Sequence, residues 1–192
     1  FDQFSCVHLL LLDRPSICMP SYLVSNDKAS EVAARHLRVR LGDQLSMDSA
    51  SGKSLICYSV PDETINVLRE YYHGIGKTHI VSLLWNSIFD HHPAHEEHVM
   101  YVTLVDDLLI VLTIKNRKPV FTKSFEIRHK DDLQYFIMAC KRLLQPGQCT
   151  WLTIREAKAN YVKPDEAFLK FDNEMELPSI PMLLAKYNPC VS

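Results

Sequence analysis

Three short stretches of the sequence carry side chains that could bind a phosphate or a metal ion. The first, Gly74–Thr78, ends in Gly-Lys-Thr, as phosphate-binding P-loops do. The P-loop motif Gly-x-x-x-x-Gly-Lys-Ser/Thr also requires a glycine five residues before the one that precedes the lysine. In this chain that position is Tyr71. The apolar spacing also predicts a helix before this stretch and a strand after it, which is the reverse of a P-loop. We therefore interpret Gly74 as the end of a helix, followed by a turn.

The second stretch concentrates histidines and glutamates between His91 and His98. The imidazoles of His91, His95 and His98 are spaced by four and three residues. On a helix they would share a face and could hold zinc or nickel. However, Pro93 interrupts the stretch, and the order His-Glu-x-x-His, which supplies a general base beside zinc, is missing. We interpret the stretch as a solvated linker and keep the metal site as an alternative.

The third stretch is Asp106–Asp107, which lies between two apolar runs and is predicted to form a hairpin turn. In a phosphate-binding turn, consecutive backbone N–H groups face the anion, and glycine permits its close approach. A neighbouring carboxylate commonly holds Mg²⁺. This turn has carboxylates but no glycine, and none of the five glycines of the chain lies between residues 98 and 146. We expect no cofactor; if ATP and Mg²⁺ do bind, Asp106 and Asp107 are the predicted contacts.

No arrangement of residues predicts a catalytic centre, because the sequence contains neither a Gly-x-Ser-x-Gly elbow nor a cysteine in a protease context. The net charge is −2, with both signs interspersed, which argues against binding of nucleic acid. The apolar runs are too short for membrane insertion.

Six cysteines stand singly, mostly within apolar runs, as is typical of buried free thiols in a reducing compartment. We expect a cytoplasmic protein.

The elements that must position these residues alternate between strands and helices in the first half of the chain. Asn26 or Asp27 is a helix-starting residue type, and acids at 62 and 63 suit the first turn of a helix that follows Pro61. Residues 42–53 are polar and predicted to form a mobile loop. The predicted strands are Phe4–Leu12, Ile17–Met19, Ser54–Ser59 and Thr78–Val81, and the predicted helices start near Asn26, Pro61 and Ser82. This alternation favours an α/β fold with parallel pairing.

The second half opens with three antiparallel strands over Val99–Ile127, with tight turns at Asp106–Asp107 and Asn116–Arg117. An amphipathic helix of about four turns follows, because Leu133, Phe136, Ile137, Cys140 and Leu144 recur at helical spacing. A strand is predicted at Cys149–Ile154 and a short helix at Asp165–Phe171. The prolines at 178, 181 and 189 are unfavourable within a helix, so no further helix is predicted.

The order of these elements resembles that of an uncharacterised bacterial family of unknown function with an actin-like ATPase fold. The likeness rests on the strand that runs into Met19-Pro20, on Tyr58–Pro61 opening a helix, and on the Val102–Phe125 strands with Asn116 in a turn. It covers most of residues 4–154. The resemblance implies a two-lobed, ribonuclease-H-like α/β fold of the sugar kinase and actin superfamily, in which each lobe is a mixed sheet with flanking helices.

On this resemblance, residues 1–97 form the later part of the first lobe, which would be truncated at its N-terminus. Residues 98–192 form the second lobe, opening with a meander (98–127) and a helix (130–144). The glycine expected beside the Asp106 carboxylate and a Gly-Gly adenosine motif are both missing. We therefore expect a non-catalytic binding or scaffold module with a protein partner. The alternatives are an active Mg²⁺-dependent ATPase or small-molecule kinase, and a protein that binds metal through its His91–His98 linker. The sequence does not indicate an oligomeric state.

Overall fold

The computed structural model describes residues 6–22, 28–37, 39–51, 53–91, 98–155 and 170–187. Two compact units are formed, the first by residues 1–86 and 184–192 and the second by residues 87–183. In chain order the described elements are β1 (Cys6–Leu11), β2 (Ser16–Pro20), α1 (Lys28–Leu37), β3 (Asp43–Ala50), β4 (Ser54–Pro61), α2 (Asp62–Tyr71), β5 (Gly74–His79), α3 (Ile80–His91), β6 (His98–Val105), β7 (Leu108–Lys115), β8 (Lys118–Glu126), α4 (Lys130–Leu144), β9 (Gln148–Ile154), β10 (Asn173–Leu177) and α5 (Ile180–Tyr187).

The first unit holds two small sheets. Strands β1 and β5 pair in parallel, with Leu9 opposite Lys77, and β2, β4 and β3 form an antiparallel sheet in that order. The middle strand β4 is apolar over most of its length because both of its edges are paired and most of its side chains are buried. Helix α1 covers one face of this sheet, where Ala33 and Leu37 pack with Met19 and Cys57.

The second unit is built on a five-stranded mixed sheet with the order β10-β9-β6-β7-β8. Strands β6, β7 and β8 form an antiparallel meander, while β9 and β10 are added in parallel on the other side of β6. The two-residue turns lie at Asp106–Asp107 and Asn116–Arg117, as the sequence predicts. At the second turn both residues have positive φ, 50° for Asn116 and 58° for Arg117. This is the geometry of a type I′ turn, whose twist matches that of the flanking strands.

Helix α4 covers one face of this sheet with the side chains whose spacing predicts it. Leu133, Ile137 and Cys140 are buried against residues of β6, β7 and β9, including Val102, Val111 and Trp151. At the β8 side, Phe136 of α4 stacks on Phe125 with ring centroids 4.4 Å apart. The sheet is also buried on its other face, where Tyr101 and Leu112 face the same way and are almost fully inaccessible. The near-continuous apolar character of β6 and β7 follows from this burial on both faces.

The structure corrects the predicted loop at residues 42–53. Most of this segment is strand β3, which pairs with β4 over its full length. Its serines and aspartates have low strand propensity, but Leu45 packs into the core beneath α1 and the backbone completes the β4 ladder. Tertiary pairing therefore outweighs local preference here.

The stretch Gly74–Thr78 is also different from the prediction, because it is strand β5 and not a helix end followed by a turn. The preceding helix ends at Tyr71, and α3 begins at Ile80. Gly76 has a packing role: a Cβ atom at this position would overlap the ring of His8 on the neighbouring strand. The glycine thus lets two strands approach each other.

Two elements near the end of the described chain escape prediction. Strand β10 is short and mostly polar, and its pairing with β9 defines it. Helix α5 contains Pro181 as its second residue, where the first turn needs no backbone N–H donor. Proline at that position is therefore compatible with a helix. The predicted helix at Asp165–Phe171 lies mostly outside the described residues.

Four cysteines described with their side chains, Cys18, Cys57, Cys140 and Cys149, are free thiols, as the sequence predicts. Burial raises the pKa of Cys18 and of Cys57 to about 11 and that of Cys149 to about 12, so these thiols stay protonated at neutral pH. Within the described segments, no helix is both long and apolar enough to span a bilayer.

Candidate functional site

The Asp106–Asp107 turn lies at the tip of the β6–β7 hairpin, and both of its side chains are exposed. Asp106 adopts a positive φ of 51°, which aspartate tolerates better than most residues. The carbonyl oxygen of Asp107 accepts a hydrogen bond of 2.8 Å from the N–H group of Ile127, just beyond β8. The turn is thus closed by the strand ladder and is part of a regular meander.

This turn does not fit a phosphate loop. A phosphate cradle presents several N–H groups in a concavity that side chains leave open, and here the two-residue turn carries two carboxylates. Each carboxylate would repel a phosphate oxygen at about 4 Å by about 1 kcal/mol in water unless a cation were present. The carboxylates could hold Mg²⁺ on their own, but the turn offers no glycine for close approach of the anion. The assignment of Asp106 and Asp107 as nucleotide contacts stays a prediction.

The predicted histidine cluster is described only at its two ends. Nδ1 of His91 hydrogen-bonds to the carbonyl oxygen of Ser87, 2.7 Å away within α3. His98 begins β6 and is half-buried, and burial followed by the charge of Lys115 lowers its pKa. His95 lies outside the described residues. Within the part of the chain that the structure describes, no three His, Cys, Asp or Glu side chains are grouped to hold a metal.

A polar cluster around Asp48 in the first unit is absent from the sequence predictions. Oδ1 of Asp48 accepts a hydrogen bond of 2.6 Å from the hydroxyl of Tyr58 on β4. Oδ2 accepts bonds of 2.9 Å from the N–H group of His79 and 2.7 Å from the hydroxyl of Ser82. One carboxylate therefore joins β3 and β4 to the start of α3. The negative charge at a helix N-terminus is favourable because the free N–H groups there carry partial positive charge.

The groups around Asp48 are buried and have perturbed acidity. Burial, reinforced by the hydrogen bond to Asp48, raises the pKa of Tyr58. Burial lowers the pKa of His79, so its imidazole is neutral. Nδ1 of His79 accepts a bond of 3.2 Å from the N–H group of Val81, so Nε2 carries the proton and donates to the carbonyl oxygen of Arg14 at 2.8 Å. The neutral ring thus fastens the end of β5 to the β1–β2 connection.

A pocket of about 260 Å³ opens beside this cluster. Its walls are lined by Met47, Asp48, Ser49, Thr78, Ser82, Leu83, Asn86 and Tyr187. Thr78 is hydrogen-bonded to Nε2 of His8 at 2.8 Å, and the side-chain oxygen of Asn86 accepts from both the N–H group and the hydroxyl of Ser51. Asp48, Thr78, Ser82 and Asn86 are therefore all hydrogen-bonded to neighbouring protein groups. The arrangement positions α3 and offers no nucleophile beside a free general base.

The sequence contains one signal that could have revealed this cluster. In Gln44–Asp48, polar residues alternate with Leu45 and Met47, which is the period of a half-buried strand. On such a strand Ser46 and Asp48 share a face, opposite Tyr58 and Ile56 of β4. The high proportion of serine and aspartate concealed the alternation.

The solved structures that resemble this chain include the following two. One is a protein of actin-like ATPase fold and unknown function from Bacteroides thetaiotaomicron VPI-5482, with 13% identity and a TM-score of 0.72 over 90% of this chain and 69% of that chain. The other belongs to the PilM–PilN type IV pilus biogenesis complex, with 10% identity and a TM-score of 0.52 over 91% of this chain and 69% of that chain. At these identities the likeness shows the fold, which is that of the actin-like ATPases and confirms the predicted fold class.

A family model described as "Protein of unknown function (DUF3822)" matches residues 2–146. No protein in the curated set matches the chain.

Proposed function

Because the chain belongs to the DUF3822 family, whose description assigns no activity, we propose from its geometry that it is a non-catalytic protein-binding module of actin-like fold. The observation that carries this proposal is the Asp106–Asp107 turn. It is a closed two-residue hairpin with two exposed carboxylates and no glycine. Such a turn favours solvent or a cationic partner group over a phosphate.

Exposed apolar side chains on α4 support a protein partner. Tyr135 is 68% exposed and Leu143 is 75% exposed, and their spacing of eight residues places them on one stripe of the helix with the exposed Ala139. Apolar side chains that share one exposed stripe of a helix offer a surface that a partner protein can cover. A similar fold also occurs in the PilM–PilN complex, which shows that this architecture is used in a protein assembly.

Titration calorimetry of the full-length protein with ATP and Mg²⁺ tests the non-catalytic part of the proposal. We expect no saturable heat at millimolar nucleotide, for the wild type as well as for Asp106→Ala. Asp131→Ala, which removes another exposed carboxylate in the same unit, serves as the matched control. Saturable binding that Asp106→Ala abolishes and Asp131→Ala preserves would overturn the proposal in favour of an active ATPase or small-molecule kinase.

A further inference from the structure

The outer edge of β8 offers backbone hydrogen-bonding groups. In an antiparallel ladder the N–H and C=O groups of successive residues point to alternate sides of the strand. The bond from the N–H group of Ile127 to the carbonyl of Asp107 shows that odd-numbered residues there face β7. Thr122 and Ser124 of β8 therefore direct their N–H and C=O groups away from β7. In the described part of the chain no strand pairs with this edge.

The side chains of β8 on the α4 side alternate between aromatic and cationic. Lys123 lies opposite the buried Val111, which places it on the face covered by α4, together with Phe121 and Phe125. The two phenylalanines are only partly buried, and Phe125 stacks on Phe136 of α4. A strand added to the edge would therefore meet phenylalanine, lysine and phenylalanine in turn on this face.

The charge along this edge is positive. Lys118 and Lys123 are exposed on β8, and Lys115 and Arg117 are exposed at the adjoining hairpin turn. No carboxylate of the described residues forms an ion pair with any of these four cations. The only acidic residue of β8, Glu126, is engaged by Arg128 through bonds of 3.3 and 3.2 Å. The edge is thus complementary to an acidic segment.

A second copy of the same strand is a poor occupant. In an antiparallel β8–β8 pair that aligns Phe121 of one copy with Phe125 of the other, Lys123 would lie directly opposite Lys123 of the second copy. Like charges in that position are destabilising. Pro119 and the register shift beside it also disturb pairing at the start of the strand. Residues 121–126 contain neither a proline nor a register shift.

We propose that an extended segment of a partner protein, with an acidic residue flanked at two residues' distance on each side by large apolar residues, adds to the outer edge of β8. Its backbone bonds to Thr122 and Ser124, its carboxylate meets Lys123, and its apolar side chains pack on Phe121 and Phe125. This apolar-x-acidic-x-apolar pattern of the partner segment is symmetric, so it fits whether the segment pairs with β8 in parallel or antiparallel. This inference rests on the proposed protein-binding function and specifies the chemistry of the partner.

The test uses the fluorescein-labelled peptide Ser-Thr-Leu-Thr-Glu-Thr-Phe-Thr-Ser and fluorescence anisotropy. We expect saturable binding to the full-length protein. Lys123→Glu should weaken it about tenfold, because one opposite-charge pair becomes a like-charge pair. The peptide with Lys in place of Glu should bind Lys123→Glu better than the wild type. Lys130→Glu, the same charge change on an exposed residue at the start of α4, should leave binding within about twofold.

A second variant tests the backbone contacts. Ser124→Pro removes an N–H group that does not bond to β7, so the fold should persist while peptide binding falls at least about tenfold. Circular dichroism verifies the fold. Unchanged binding by Ser124→Pro, or no effect of either charge swap, would refute the site. Self-association of the wild type that Ser124→Pro abolishes would show instead that β8 pairs with another copy, and would also overturn the proposal.

The two proposals fail separately. Absence of peptide binding together with absence of nucleotide binding overturns only the β8 site. Binding of ATP that depends on Asp106 overturns the non-catalytic function whether or not the peptide binds. The peptide titration contains no nucleotide, so neither result depends on the other.

Discussion

The Asp48 network makes a quantitative prediction about the stability of the first unit. Asp48 accepts from the N–H group of His79, the hydroxyl of Ser82 and the hydroxyl of Tyr58, all at 2.9 Å or less. Ser82 is 2% exposed, and His79 and Tyr58 are fully inaccessible. Asp48→Ala removes the acceptor from all three donors. The hydroxyl of Ser46, already hydrogen-bonded to Tyr58, can rotate to accept from it, so two donors are left without a partner.

The magnitude follows from these two donors. A buried donor without a partner costs about 1–3 kcal/mol, so two cost about 2–6 kcal/mol. Because the adjoining pocket lets water reach part of the site, we expect Asp48→Ala to lower the free energy of unfolding by about 2–4 kcal/mol. Asp48→Asn keeps one acceptor oxygen and loses the charge, so its expected cost is smaller, about 1–2 kcal/mol. The order of the two costs is part of the prediction.

The assay uses the two tryptophans of the chain. Trp85 is buried in the first unit and Trp151 in the second, so in the background Trp151→Phe the fluorescence of Trp85 reports on the first unit alone. Urea unfolding of Asp48→Ala and Asp48→Asn is compared in that background. Ser49→Ala, an exposed change on the same strand, is the control and should cost less than about 0.5 kcal/mol.

Two results would refute the reasoning. If Asp48→Ala costs no more than Ser49→Ala, then the three short bonds contribute nothing net to folding. If Asp48→Asn costs as much as Asp48→Ala, then the acceptor oxygens are not the source of the effect. A destabilisation seen with both variants and ordered as expected would support the assignment of Asp48 as the residue that fixes the start of α3.

Two further predictions concern a buried histidine and a turn. Burial lowers the pKa of His79 below its ordinary 6.5. Below about pH 6.5 the histidine therefore binds a proton in the unfolded chain but not in the native state. The free energy of unfolding should then fall as the pH drops, by up to about 1.4 kcal/mol per pH unit. Urea unfolding between pH 7.5 and 5.5 measures this slope, and an equal slope in His79→Gln would contradict it. Arg117→Gly should stabilise the second unit by about 0.5–1 kcal/mol, because Arg117 has a φ of 58° that glycine adopts without strain. Thermal unfolding checks this, with Lys118→Gly expected to destabilise because Lys118 lies within β8.

Much of the second unit could be predicted from the sequence because its signals are local. The two-residue turns at Asp106–Asp107 and Asn116–Arg117 separate long apolar runs, and the spacing of Leu133, Ile137 and Cys140 reveals α4 directly. Strand β10 could not be predicted in this way. Its residues are mostly polar, and only its pairing with β9 makes it a strand. Strand β10 is therefore determined by a tertiary contact and not by its own sequence.

The same distinction explains why the Asp48 cluster escaped prediction. Its members lie at positions 48, 58, 79 and 82, and only the β3–β4 register and the approach of α3 bring them together. No short motif encodes that assembly. Conversely, Gly74–Thr78 and the His91–His98 stretch have the composition of sites, and the first proves to be a strand whose Gly76 makes room for His8. Local composition therefore neither reveals the Asp48 cluster nor makes a phosphate site of Gly74–Thr78.

The layout of the five-stranded sheet has a kinetic consequence. Strands β6, β7 and β8 are joined by two-residue turns, so they can form by local hairpin closure in about 1–10 μs. Strand β9 pairs in parallel with β6 only after the chain between Val99 and Gln148 has been brought back on itself, and β10 can join only when β9 is in place. We therefore expect the β6–β7–β8 meander to fold first, β9 to pair with its exposed β6 edge afterwards, and β10 to pair with β9 last.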